Sequence, residues 1–122
     1  MAELKFRAWD KEENKMWNVE TLYIEDEWVK VNDGSIYGLT KDLIRSYCLM
    51  QSTGLRDKNG VEVYEGDIVE NSYKEIGFIK NSNDAFCFNR KERNFYLSGI
   101  GAGSPFKVLG NIYENPDLLE DN

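Results

Sequence analysis

Short apolar runs separated by polar turns recur along most of the chain, and at residues 4–9 and 61–64 apolar and polar positions alternate with a period of two, the repeat of a strand with one buried face. At residues 4–9, Leu4, Phe6 and Ala8 fall on one side and Lys5, Arg7 and Trp9 on the other. The charged residues 10–15 separate this run from Met16, Trp17 and Val19, so residues 5–19 read as a β-hairpin, with Trp9 and Trp17 expected on one face. Residues 28–31 are the next strand, after the acidic loop Glu25-Asp26-Glu27. A turn cluster at residues 32–35 follows, with Ile36 and Tyr37 as its return arm. Residues 40–50 break the rhythm. Leu43, Ile44, Tyr47 and Cys48 are spaced as a helical stripe and Thr40 is a candidate N-cap, so the pattern predicts a short helix over 41–47. Ile44 and Tyr47 are equally at home in a strand.

The densest turn chemistry lies in residues 50–70. Asn59-Gly60 is a strong hairpin signal, because a type I′ turn needs positive φ at both central residues. Asp57 and Lys58 precede it, so a three- to five-residue loop around a type I turn competes. Val61 and Val63 then alternate with Glu62 and Tyr64, residues 65–67 break the run, and Ile68-Val69 opens another. Gly54 and Gly66 mark turn or bulge points. Further strands follow at residues 68–73, 76–80, 85–89 and 95–98, with polar turns at 74–75, 81–84 and 90–93. The three-glycine loop at residues 99–105 lacks the spacing and strand-to-helix context of a dinucleotide site. Residues 106–113 close the array with Gly110 as a bulge, and residues 117–121 make at most one helical turn that docks Leu118 and Leu119.

Strands at this cadence define a mainly β protein. The expected form is a small barrel-like or SH3-like strand array in the C-terminal part, with an N-terminal β-hairpin subdomain and one or two short helices; α+β is the alternative. The 122 residues fit a single domain, divisible into residues 1–50 and 51–122. Most aromatic residues sit in the strand-like runs, where large rings pack on a pleated surface.

Composition narrows the chemistry. The chain contains no histidine, which removes the commonest general base and zinc ligand. Two cysteines, Cys48 and Cys87, lie in apolar runs and read as small buried hydrophobes rather than a disulfide framework. No signal peptide or membrane-spanning run is evident, so a cytoplasmic protein is expected. The formal charge of −7 is concentrated in the first 70 residues and argues against broad contact with a nucleic-acid backbone. Three consecutive acids at Glu25-Asp26-Glu27 point to alternate faces and make a poor metal cage. No catalytic residue, metal or cofactor is assigned.

Three stretches carry a resemblance. They are residues 4–10, Leu-Lys-Phe-Arg-Ala-Trp-Asp; residues 50–69 in the middle; and residues 110–119, Gly-Asn-Ile-Tyr-Glu-Asn-Pro-Asp-Leu-Leu. In this order they resemble the YopX family of small phage and prophage proteins. The resemblance implies an origin in a bacteriophage or integrated prophage of Gram-positive bacteria, and a mostly β fold with a barrel-like C-terminal part. It carries over no catalytic residues.

The leading expectation for function is a non-enzymatic protein-interaction or assembly module that self-associates as a homo-oligomer or binds a host or phage protein. A second reading is nucleic-acid binding by the C-terminal barrel through Arg90, Lys91 and Arg93, whose neighbours Phe86, Phe88 and Phe95 could stack on single-strand bases. A third is an acidic decoy of a host protein. The last is a carboxylate-dependent enzyme built on Glu62, Glu65 and Asp67, where Glu65 and Asp67 could share a strand face.

Overall fold

The computed structural model describes residues 5–35, 38–82, 85–97 and 106–120. They form eleven strands and two single 3-10 turns, arranged as antiparallel sheets. The return arm expected at Ile36 and Tyr37, the turn at Asn83 and Asp84 and the loop at residues 99–105 lie outside the described residues. The fold divides into two compact units, Glu3–Gln51 and Ser52–Asn122.

The first unit contains β1 (Phe6–Asp10), β2 (Lys15–Tyr23), β3 (Trp28–Asn32), β4 (Leu39–Leu43) and the first half of β5 (Tyr47–Arg56), in the order β4-β3-β2-β1-β5. Asp10 builds the first turn: its Oδ1 accepts the N–H groups of Glu12 and Glu13, and Asn14 N–H donates to the Asp10 carbonyl at 2.9 Å. That loop fixes the register, with Ala8 opposite Trp17 and Trp9 opposite Met16. Residues directly opposite share a face and neighbours alternate, so Trp9 and Trp17 lie on opposite faces, not on one as the sequence pattern predicts. Trp17 packs with Ala8, Val29, Val31 and Tyr47 in the core of this unit.

The helix expected over residues 41–47 does not form. Residues through Leu43 belong to β4, where Thr40 pairs with Val31 and Leu43 with Trp28. Ile44–Ser46 is one 3-10 turn without a side-chain cap, and Tyr47 already starts β5. A helix there would leave the outer edge of β3 without backbone partners, a larger loss than the weak helical preference of the segment. Glu25, Asp26 and Glu27 form an exposed turn, as their sequence implies.

In the second unit the order is β10-β9-β8-β7-β11, formed by β7 (Asp67–Glu70), β8 (Ile76–Ser82), β9 (Ala85–Arg90), β10 (Arg93–Tyr96) and β11 (Lys107–Asn111). The second half of β5 pairs with β6 (Glu62–Tyr64) across a bulge containing Gly54. Val63, Val69, Ile79, Phe88, Leu97 and Phe106 make the core, and an open barrel-like β arrangement results. Gly110 is at a register shift between β11 and β7, the bulge its sequence predicts. Pro116–Leu119 is the second 3-10 turn, with Leu118 and Leu119 half-buried.

Between β5 and β6 the five-residue competitor replaces the two-residue hairpin. Gly60 N–H donates to the Asp57 carbonyl at 3.0 Å and Asp57 N–H to the Val61 carbonyl at 2.7 Å, with Gly60 at φ +84°. Asn59 stays at negative φ, so the loop is a β-turn closed by a left-handed glycine. Asp57 organises it. Its Oδ1 accepts from Asn59 and Val61 N–H, and its Oδ2 accepts from Val108 N–H on β11.

Candidate functional site

The β9–β10 hairpin is closed by Lys91 and Glu92 at φ +52° and +67°, the two positive-φ positions of a type I′ turn. Its register places Arg90 opposite Arg93 and Phe88 opposite Phe95. All four side chains therefore share one face of the ribbon, with the arginine pair next to the aromatic pair. Phe88 stacks on Phe106 at a centroid separation of 5.3 Å, and Phe95 lies tilted against Phe88 at 6.3 Å. Phe88 and Phe106 are buried, whereas Phe95 is 52% exposed.

These residues border a cleft of about 460 Å³. Its other contributors come from the β7–β8 turn: Asn71, Ser72, Tyr73 and Glu75. Asn71 holds that turn through its Oδ1, which accepts from Tyr73 and Glu75 N–H, while its Nδ2 donates to Glu75 Oε1. Tyr73 is left 82% exposed. Glu75 Oε2 meets Arg90 at 3.3 Å, and the Arg90 Nε is buried with no hydrogen-bond partner among the described residues. The cleft thus has an aromatic floor and a rim of Arg90, Lys91 and Arg93, with Glu75 as the carboxylate among its described lining residues.

Arg90, Lys91 and Arg93, the basic residues singled out by sequence, are brought together here. Sequence reasoning missed Tyr73, Glu75 and Phe106, which reach the cleft from distant segments. Asn71 at the head of a polar turn was the available signal for the first two.

The carboxylate candidates Glu62, Glu65 and Asp67 are engaged elsewhere. Glu62 accepts from the Ser52 hydroxyl, and buried Asp67 accepts from Tyr64 N–H at 2.7 Å. Among the described residues no group of three or more cysteine, aspartate or glutamate side chains could hold a metal ion. Burial pushes the Asp57 carboxyl up, but the N–H groups of Val108, Val61 and Asn59 outweigh it and hold the carboxyl below its ordinary range. Cys87 is fully buried, which pushes its thiol up, and Cys48 is half-buried. In the first unit a cleft of about 440 Å³ is bordered by Ile24, Glu27, Leu43, Ile44 and Arg45. Among the described residues no helix is long and apolar enough to cross a membrane.

These features define a small antiparallel β protein with a cationic, aromatic-floored cleft in its C-terminal unit. The family model described as YopX protein matches residues 5–120, and the chain belongs to that family. It is similar to a crystal structure of protein EF1440 from Enterococcus faecalis, at 33% identity and a TM-score of 0.72, over 98% of this chain and 100% of that one. No curated protein sequence matches it.

Proposed function

We propose that this YopX-family protein works by binding and not by catalysis, and that the cleft of the C-terminal unit is where it binds. The observation that carries this reading is the convergence of Arg90, Lys91 and Arg93 over the Phe88, Phe95 and Phe106 rings. Pockets with an apolar lining and a few convergent polar groups are the usual recognition sites of small domains. Of the carboxylates that would serve an enzyme, Glu62, Glu65 and Asp67, the first is committed to Ser52 and the last to the Tyr64 backbone. On this reading the binding partner belongs to the cytoplasm of a bacterium that carries a phage or prophage, a setting the family resemblance supports. Co-purification from such a host, comparing wild type with the K91E/R93E variant, tests the site. The expected result is a captured species lost with the variant; identical capture sets would remove the cleft from consideration.

A second reading is self-association, favoured by β10. It is the terminal strand of its sheet, and all four of its residues are exposed, including Phe95 and Tyr96 on opposite faces. An open edge of this kind can pair with the edge of another copy. Sedimentation velocity should then show a concentration-dependent dimer, and a monomer at every concentration would reject this reading.

A further inference from the structure

We propose that the cleft takes a nucleoside phosphate, presented as a free nucleotide or as a unit of a single strand, with the base against Phe95 and Tyr73 and the phosphate on the Arg90–Arg93 pair. This inference rests on the reading of the cleft as the binding surface and names its ligand.

Three features of the site converge on that chemistry. The first is spacing. Phe95 and Arg93 are two residues apart on one strand face, as are Phe88 and Arg90 on the facing strand. Two residues span about 7 Å along a strand, the scale that separates a nucleobase from its own phosphate.

The second is charge. Like charges directly opposite on a β-ribbon repel, yet Arg90 is set against Arg93. Glu75 Oε2, 3.3 Å from Arg90 Nη1, offsets one of the two charges, and Arg93 is exposed. A phosphate offers several acceptor oxygens and matches the guanidinium fork, which a single neighbouring carboxylate does not saturate. Lys91 adds a third cation at the turn.

The third is exposed flat surface. Tyr73 at 82% exposure and Phe95 at 52% are large rings left to solvent beside these cations. Aromatic platforms with basic flanks bind unpaired bases without needing a specific sequence. The cleft volume of about 460 Å³ is that of a site for one compact ligand. The acidic remainder of the chain confines nucleic-acid contact to this cleft, so a duplex or an extended strand track does not fit. An acidic peptide would satisfy the arginines but has no inherent flat ring at the fixed distance, so the nucleotide is the better match.

The test is a titration of the isotopically labelled full chain, followed by amide NMR at low salt. Adenosine monophosphate, oligothymidylate, inorganic phosphate and an acidic peptide lacking aromatic residues serve as separate probes. The expected result is saturable shifts at residues 90–95 and 71–75 with the two nucleotide probes, and weaker binding of phosphate alone. Arg93→Gln should weaken the nucleotide probes about tenfold, as expected for losing one charge-assisted hydrogen bond. Phe95→Ala should weaken them while leaving phosphate binding unchanged. If the single strand is the source, oligothymidylate binds tighter than the mononucleotide. Its affinity then falls with a log–log salt slope of about −0.7 for each phosphate contacted. Equal affinity for both probes assigns the free nucleotide. No shift with either nucleotide probe, or shifts indifferent to Arg93→Gln, overturns the proposal. The acidic peptide shifting these amides in place of the nucleotides overturns the ligand class but leaves the cleft as the binding surface; the K91E/R93E comparison tests that surface separately.

Discussion

Asp57 ties the central loop to β11, and replacing it with alanine tests how the C-terminal unit is held together. The carboxylate is 3% exposed and accepts three backbone N–H bonds, from Asn59 at 2.8 Å, Val61 at 2.8 Å and Val108 at 2.9 Å. The first two donors lie on an exposed turn, where water can replace the lost acceptor, so each costs about 0.5–1 kcal/mol. Val108 is half-buried, and stranding its N–H costs about 1–3 kcal/mol. The expected total for Asp57→Ala is about 3 kcal/mol, a large share of the about 5–15 kcal/mol that stabilises a typical domain. For a cooperative unit of this size each kcal/mol lowers the melting temperature by about 4–8 °C, so calorimetry should show a drop of about 12–24 °C. Asp57→Asn keeps one oxygen for the turn but sets its NH2 donor against the Val108 N–H, and should fall between wild type and alanine. Hydrogen exchange adds a local readout: the Val108 amide should lose protection in both variants. An Asp57→Ala melt within about 4 °C of wild type, equivalent to about 1 kcal/mol, would refute the claim that this side chain joins the loop to β11.

Gly60 sits at φ +84° with open space where a Cβ would project, so Gly60→Val should cost about 1–2 kcal/mol through backbone strain alone. An unchanged urea midpoint would contradict it. The acid limb of stability follows from two carboxyls held low. Asp33 is lowered by the Lys15 ammonium at 2.8 Å and by the Ser35 hydroxyl and N–H; Asp57 is lowered by its backbone donors despite burial. A depressed carboxyl contributes stability above its unfolded pKa of about 3.9 and loses it as pH falls through the folded value. Melting temperature should therefore decline below about pH 4, and Asp33→Asn should flatten that decline; an acid limb unchanged by the substitution would exclude Asp33. Cys87 is fully buried with a raised thiol and Cys48 is half-buried, so a thiol reagent on the native protein should label Cys48 first. Equal labelling rates would contradict the packing of β9.

Strand existence was legible because a half-buried strand writes its period of two directly into the chain. Val63 and Ile79 are alternating positions of β6 and β8, and both enter the core, whereas β7 is buried at the consecutive residues Asp67, Ile68 and Val69. Register was not legible at the first hairpin. Whether Trp17 faces Ala8 or Trp9 depends on the length of a charged loop whose closing bond, from Asn14 to Asp10, leaves no hydrophobic mark. The segment at residues 41–47 misled for a different reason. Its local spacing suits a helix, but the open edge of β3 is a tertiary fact, and it captures residues through Leu43 as β4. The basic half of the candidate site could be read because Arg90, Lys91 and Arg93 are close in sequence. Tyr73 and Phe106 could not, because only the folded sheet brings the β7–β8 turn and the residue before β11 to the same cleft.

The β9–β10 turn shows where local preference and the site diverge. Asn-Gly would enter a type I′ turn with little strain, and Lys91-Glu92 holds both of its left-handed positions with ordinary side chains, at about 1 kcal/mol or more each. Immediately outside the turn, Arg90 and Arg93 are opposed as like charges. Both features act against the stability of the hairpin, and both fall on the rim of the same cleft. Residues that weaken a fold at one place, without improving its packing there, are the expected trace of a binding surface. The contrast with Asp57 sharpens the point. There both carboxylate oxygens have backbone partners and the loop chemistry serves the fold, whereas Arg90 is set directly opposite a second cation. The central motif therefore belongs to the architecture of this YopX-family protein, and the hairpin from Ala85 to Tyr96 is the part of it that carries the proposed binding cleft.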